Sequence, residues 1–310
     1  MINTLNVVID CDPGIDDTLA LIYAIKNPKF NVKAITIVSG NVPVPKGVKN
    51  AQYVLKMLNR EDIPIYLGRT SSVYVDAEDT HGYNGLGNYD YGDIDMKSLS
   101  DMSACEYLSK ITPADDITLI ALGPLTNIWG AYCLNPRFFH ILANMYIMGG
   151  AYRTHGNCTP VSEYNFWCDP ISAKKVFEVM QHAVIVPLDV TRKIVLTPDK
   201  VEQIKDLHTS IGSFIEKITA YYMDFHAEHE GICGCVINDP LAVYIAECPY
   251  TGESEMQYAM VCDNMDITRG QMIVDSGNIY QHTNNCIIMS DLSKSGIDEF
   301  WTSFITIICD

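Results

Sequence analysis

A single α/β domain, with a mostly parallel central sheet flanked by helices, is the fold that this 310-residue sequence predicts. Three observations carry that prediction. Short apolar runs alternate with amphipathic stretches along the chain, as expected for strands joined by crossover helices. No low-complexity linker or internal repeat interrupts the pattern. Small and polar residues gather just after the apolar runs, where the carboxyl ends of parallel strands would form one rim.

The elements follow in order. The apolar run Val7-Val8-Ile9 marks a buried strand over 5–10; Pro13-Gly14 supplies a turn, and the apolar stretch beyond it a helix over 17–26. Further strands are expected over 33–38, 63–67, 117–122, 144–148 and 183–188. Further helices are expected over 46–59, 99–111, 125–134, 170–181, 198–206, 211–228 and 239–247. The C-terminal third is mixed, with extra strands over 256–262, 271–274 and 285–289 before a closing helix over 298–309. One domain spanning 1–310 is favoured over two.

Composition narrows the class of partner. The net charge of −17 argues against nucleic acid, whose phosphates demand a basic surface. It also disfavours anionic membranes and highly anionic substrates, so a neutral small molecule fits better. Eleven cysteines, odd in number and without repeated spacing, read as reduced thiols of a cytoplasmic protein. The pair Cys233 and Cys235 lacks the second pair that a zinc site would need. Neither a signal-like N-terminus nor a window of membrane-spanning length is present, which again predicts a cytoplasmic location.

Asp10, Asp12, Asp16 and Asp17 crowd into eight residues between the first strand and the first helix. A helix N-terminus favours one or two carboxylates through its free N–H groups and dipole. Four repel one another too strongly for capping to account for them all. A bound cation is the better solution, and all-oxygen ligands select a hard one, Ca²⁺ or Mg²⁺. The competing reading is one capping aspartate with solvated neighbours.

Other chemistry collects at the same rim. The predicted strands run into Ser39-Gly40-Asn41, into Gly123-Pro124-Leu125-Thr126-Asn127, into Gly149-Gly150 and into Asp189. Glycine permits close backbone approach, and a carbonyl freed from the ladder can coordinate a metal. Asn157, Glu163 and Asn165 put two amides and a carboxylate within nine residues, a set suited to vicinal hydroxyls that both donate and accept. Asp239, followed by Pro240 at the opening of a helix, suits either an N-cap or a metal ligand. The glycine-rich run from His81 to Gly87 is long enough for a lid, or for a mobile surface segment with an incidental histidine.

Together these residues resemble the inosine-uridine-preferring nucleoside hydrolase family. The run from Asp10 to Asp17 matches that family's N-terminal signature nearly letter for letter, and the likeness continues through Gly40-Asn41, His81-Gly82, 123–127, 148–150, Asn157, 163–165 and Asp239. It becomes loose after about residue 250. The resemblance implies a Rossmann-like fold, a nucleoside substrate cleaved at its N-glycosidic bond, a tightly held Ca²⁺, a homodimer or homotetramer, and a place in purine or pyrimidine salvage. Carried over by position, Asp12, Asp17, Asp239 and the carbonyl of Leu122 would bind the metal, with Asp12 also the general base. Asp16, Asn157, Glu163 and Asn165 would hold the sugar hydroxyls, Asn41 would position water or ribose, and Asp10 would brace the cluster from behind. The chemistry agrees with these roles. Departure of a base leaves an oxocarbenium-like sugar, and carboxylates stabilise that charge by about 3 kcal/mol per well-placed group.

One position departs from the pattern. Asn238 stands where the best-known branch carries a histidine implicated in departure of the base, and an amide has no useful acidic pKa. His81, Tyr222, His226 and His229 are the residues that could serve the base instead, the last three sharing a helix at spacings of four and three. A surface or core role for each histidine is an equal reading, and purine-versus-pyrimidine preference stays open. The strongest rival function is a nucleoside- or ribose-binding protein with little turnover. A phosphatase of the haloacid dehalogenase type also begins with Asp-x-Asp after a strand, but the lysine it needs is missing from the strand ends.

Overall fold

The computed structural model describes residues 4–309. Nine strands form the central sheet: β1 (Leu5–Cys11), β2 (Phe30–Ile37), β3 (Ile65–Leu67), β4 (Leu99–Ser103), β5 (Ile117–Ala121), β6 (Asn144–Met148), β7 (Ala183–Val186), β10 (Gly252–Gln257) and β13 (Cys286–Leu292). Their order is β10-β13-β7-β6-β5-β1-β2-β3-β4. Every adjacent pair is parallel except β10 with β13 at one edge. Two small ribbons stand apart, β8 (Val195–Leu196) with β9 (Cys235–Val236) and β11 (Ala259–Val261) with β12 (Met272–Val274). The mostly parallel α/β sandwich expected from the sequence is the fold found.

Side-chain alternation along β1 divides the interior. Val7, Ile9 and Cys11 face one core, packed with the helices Ile15–Lys26, Val44–Met57, Asn238–Glu247 and Lys294–Cys309. Val8 faces the other, with Thr126–Leu134 and Pro170–Val179. From β1 the chain winds outward through β2, β3 and β4 on one side, and through β5, β6, β7 and β13 on the other. The reversal lies between β1 and β5, and a crevice opens there at the carboxyl ends of the two strands.

Several boundaries differ from those the sequence suggests. The helix expected over 99–111 is a strand, β4, followed by a shorter helix, Ala104–Ser109. Ser103 explains the break. It caps that helix by accepting from the N–H of Glu106, whose carboxylate accepts in turn from the N–H of Ser103. The strand expected over 256–262 divides at Tyr258 into β10 and β11, which belong to different sheets. The ribbon strands β8 and β9 and the short helices Glu78–His81, Phe138–Ile141, Tyr164–Cys168 and Leu188–Thr191 are too brief to show periodicity. No helix among the described residues is long and apolar enough to cross a membrane.

Candidate active site

At the crevice lies a cavity of about 380 Å³. Asp16, Asn41, Leu122, Met148, Asn238 and Asp239 line its floor side, Asn157, Glu163, Tyr164 and Asn165 another wall, and His81, Tyr222, Phe225, His226 and His229 a third. The structure therefore gathers around one cavity residues separated by more than 200 positions in sequence.

β1 and the start of the Ile15–Lys26 helix present the aspartates. Asp17 turns back to accept from the N–H groups of Asp12 and Gly14, each at 3.1 Å, and from Nδ2 of Asn41 at 2.8 Å. Asp12 Oδ2 accepts from the N–H of Asn41 at 2.5 Å, while Oδ1 is buried without a partner. A Cβ on Gly40 or on Gly123 would strike the Asp12 carboxylate, so the two strand-end glycines make room for it. Asp10 lies behind, held by Thr36 Oγ1 at 2.5 Å and by Asn127 Nδ2 at 2.8 Å.

Oxygens of Asp16, Asp17 and Asp239 lie within 4.8 Å of one another, all buried. Asp16 Oδ2 accepts from Asn238 Nδ2 at 3.3 Å, and Asp16 Oδ1 and Asn238 Oδ1 are buried without partners. Burial foremost, then repulsion among the carboxylates, raises the pKa of Asp12 and Asp239 well above the ordinary range and that of Asp17 in the same direction; burial alone raises Asp16, against the lowering effect of its bond from Asn238. Carboxylates so placed, with orphaned oxygens, fit a hard divalent cation. Asp16 joins this group more closely than the sugar-binding role expected of it implies. Asp239 stands inside the first turn of its helix; Ile237 occupies the cap without a side-chain bond, so the N-cap reading does not hold.

On the second wall Glu163 caps the Tyr164–Cys168 helix, accepting from the N–H groups of Asn165 at 2.7 Å and Phe166 at 3.2 Å, and from that of Gly150 at 3.0 Å. Burial pushes its pKa up to about 7. Asn165 Nδ2 donates to the Leu122 carbonyl at 2.6 Å, leaving that oxygen one lone pair. Asn157 is exposed at the rim, its Oδ1 accepting from the N–H of Tyr164 at 3.0 Å.

The third wall carries the ring nitrogens. His81 Nδ1 accepts from the N–H of Ile15 at 3.1 Å, and burial lowers its pKa to about 4. His81 is thus neutral near pH 7 and carries its proton on Nε2. His226 is tied the opposite way, its Nδ1–H donating to the carbonyl of Tyr222 at 2.9 Å, which leaves Nε2 as the remaining ring nitrogen. Of the glycine-rich run 81–87 only His81 reaches the cavity; Val75, Asp76, Ala77, Asp79 and Thr80, just upstream, form the wall instead. Sequence reasoning missed that segment, along with Trp167, Phe225 and Arg192. The aromatic spacing at 222, 225, 226 and 229 was the one available signal for Phe225.

Residues 7–301 match the model of the inosine-uridine preferring nucleoside hydrolase family. The chain is similar to a probable uridine nucleosidase 2 of Arabidopsis thaliana, 32% identical over 78% of this chain and 77% of that protein. It is likewise similar to the pyrimidine-specific ribonucleoside hydrolase RihA of Enterobacter sp. strain 638, 29% identical over 94% and 95%. Among solved structures, the purine-preferring ribonucleoside hydrolase from Gardnerella vaginalis superposes with a TM-score of 0.89 at 28% identity, covering 98% of both chains. With the fold, the crevice and these matches agreeing, the chain belongs to the inosine-uridine preferring nucleoside hydrolase family and hydrolyses the N-glycosidic bond of ribonucleosides.

Proposed function

We propose that this hydrolase works with Ca²⁺ held by Asp12, Asp17, Asp239 and the carbonyl of Leu122, with Asp16 beside them, and that Asp12 is the general base. The observation that carries this reading is the buried cluster of Asp16, Asp17 and Asp239, with an unpartnered oxygen on Asp16 at the cavity and another on Asp12, which is buried outside the cavity lining. Such oxygens are costly unless a cation or a substrate donor meets them. When bound, the cation orients the sugar diol and a water and adds positive charge that keeps the surrounding carboxylates ionised.

The chain's own groups supply the rest. Asp12 Oδ1 is free to accept a proton from the attacking water, while Oδ2 stays anchored to Asn41. Glu163, Asn165, Asn157 and Asp16 hold the ribose hydroxyls, and their negative or dipolar oxygens stabilise the cationic sugar as the base departs. Asn238 offers its unpartnered Oδ1 to a donor on the substrate rather than a proton. With Nδ1–H held by the Tyr222 carbonyl, His226 can protonate the leaving base from Nε2 only as the imidazolium, doubly protonated before the base departs, and neutral His81 donates a hydrogen bond from Nε2–H; Tyr222 packs against both rings. A low-turnover binding protein finds no better support in this geometry. The relatives named above differ in base preference, so both purine and pyrimidine nucleosides are candidate substrates. Eleven cysteines, odd in number and without repeated spacing, support a reducing, cytoplasmic setting, and the family resemblance supports a homodimer or homotetramer.

Calorimetric titration with Ca²⁺ and with Mg²⁺ tests the metal assignment. The expected result is tighter binding of Ca²⁺ than of Mg²⁺ at one site in wild type, and loss of most of that affinity in Asp239→Asn. Equal binding by the variant would overturn the assignment.

A further inference from the structure

The wall segment between β3 and the helix Glu78–His81 has no ladder of its own, yet Val75, Asp76 and Ala77 line the cavity. Side chains from elsewhere hold its carbonyls. The hydroxyl of Tyr164 lies 2.8 Å from Val75 O and 2.6 Å from Gly40 O, and Arg269 Nη2 donates to Val73 O at 2.8 Å across 196 residues of sequence. Arg269 sits on the connection between β11 and β12, outside the cavity lining. Its Nε donates to Trp167 O at 2.8 Å, its guanidinium lies 4.1 Å over the Trp167 ring, and its own carbonyl accepts from Ser162 Oγ at 2.6 Å. Next to it Gly270, at φ +74°, approaches so closely that a Cβ would collide with the backbone of Phe166 and Trp167. The ribbon's backbone is thereby pressed onto the helix that carries Tyr164 and Asn165, which fixes where the guanidinium points.

We propose that Arg269 is a positioning residue for the hydrolase. It joins the sugar-side helix to the wall segment 73–80 and holds the cavity in its binding shape. This rests on the nucleoside hydrolase reading given above. A planar guanidinium can donate to two carbonyls on different segments at once, which a lysine ammonium on its flexible stem does poorly. Arg269 touches no reacting atom, so its loss is felt when substrate must order the wall, in KM rather than in kcat.

The test compares wild type with R269A, R269K and the exposed same-ribbon control I267S, by steady-state kinetics and by hydrogen exchange of peptides covering 72–81. The proposal expects KM to rise about tenfold in R269A with kcat within about twofold, a smaller rise in R269K, and no change in I267S. It also expects faster exchange in 72–81 for R269A and R269K, with the central strands unaffected. Unchanged KM and exchange in R269A would overturn it, as would a fall in kcat at constant KM. Should R269A fail to fold, R269K carries both readouts. The exchange arm needs no turnover, so a wild type without activity would sink the hydrolase reading and still leave Arg269's structural tie to be judged.

Discussion

At the scale of single residues, the site depends on which oxygens and nitrogens are already engaged. Asp12 has one oxygen bound to Asn41 and one without a partner, the state required of a base. Asp12→Asn is therefore expected to lower kcat by about 10²- to 10⁴-fold with the thermal melt preserved, measured by single-turnover sugar release. The tautomers of the two histidines make a second prediction. If His226 protonates the departing base, His226→Ala loses about 10²-fold on natural nucleosides but under about tenfold on 4-nitrophenyl riboside, whose phenolate leaves without a proton. Equal losses on both substrates would remove His226 from that role. The acidic wall predicts a third result: nucleoside 5′-monophosphates are poor substrates beside their nucleosides, compared by kcat/KM at one pH.

At the scale of elements, the sequence made the strand-end rim legible because its signals are local. The aspartate run, the strand-end glycines and Asp239-Pro240 each announce a turn at an element's end, and the structure turns at each. Gly40→Ala is predicted to abolish most activity while costing little elsewhere, since its methyl would displace the Asp12 carboxylate. Where local signals compete, the reading failed. The run 99–111 carries enough apolar residues for a helix, but β4 pairs in parallel with β3 at the sheet edge, a long-range contact that periodicity does not encode. The capping pair Ser103 and Glu106 was the visible clue to where the helix starts. Ser103→Ala is expected to cost about 1 kcal/mol in a denaturant melt without affecting turnover. The wall segment 75–80 was illegible for another reason: it has no period, and side chains distant in sequence hold it, Tyr164 at Val75, Tyr221 at Asp79 and Arg269 at the adjoining Val73.

At the scale of the whole molecule, the fold concentrates buried acid at one rim, and stability must answer to pH. Burial raises Asp10 from 3.8 and Glu163 from 4.5, each to about 7, so the folded chain holds protons that the unfolded chain has released. Their contribution is complete below about pH 4 and is lost as pH rises through 7. His81, lowered from 6.5 to about 4, acts oppositely, and its contribution is lost as pH falls from 6.5 to 4. Between about pH 6.5 and 7.5 the carboxyl groups dominate, so cation-free protein should melt lower as pH rises there; a melt that rises instead would contradict the burial argument. Ribonucleoside hydrolysis is proposed to run on this buried aspartate centre, with Asp12 as base. The most direct test is reducing-sugar release from inosine, adenosine, guanosine, uridine and cytidine by wild type and Asp12→Asn, both supplied with Ca²⁺. Release by wild type and almost none by the variant is the predicted result; undiminished release by the variant, or none from any of the five by folded, Ca²⁺-bound wild type, would contradict it.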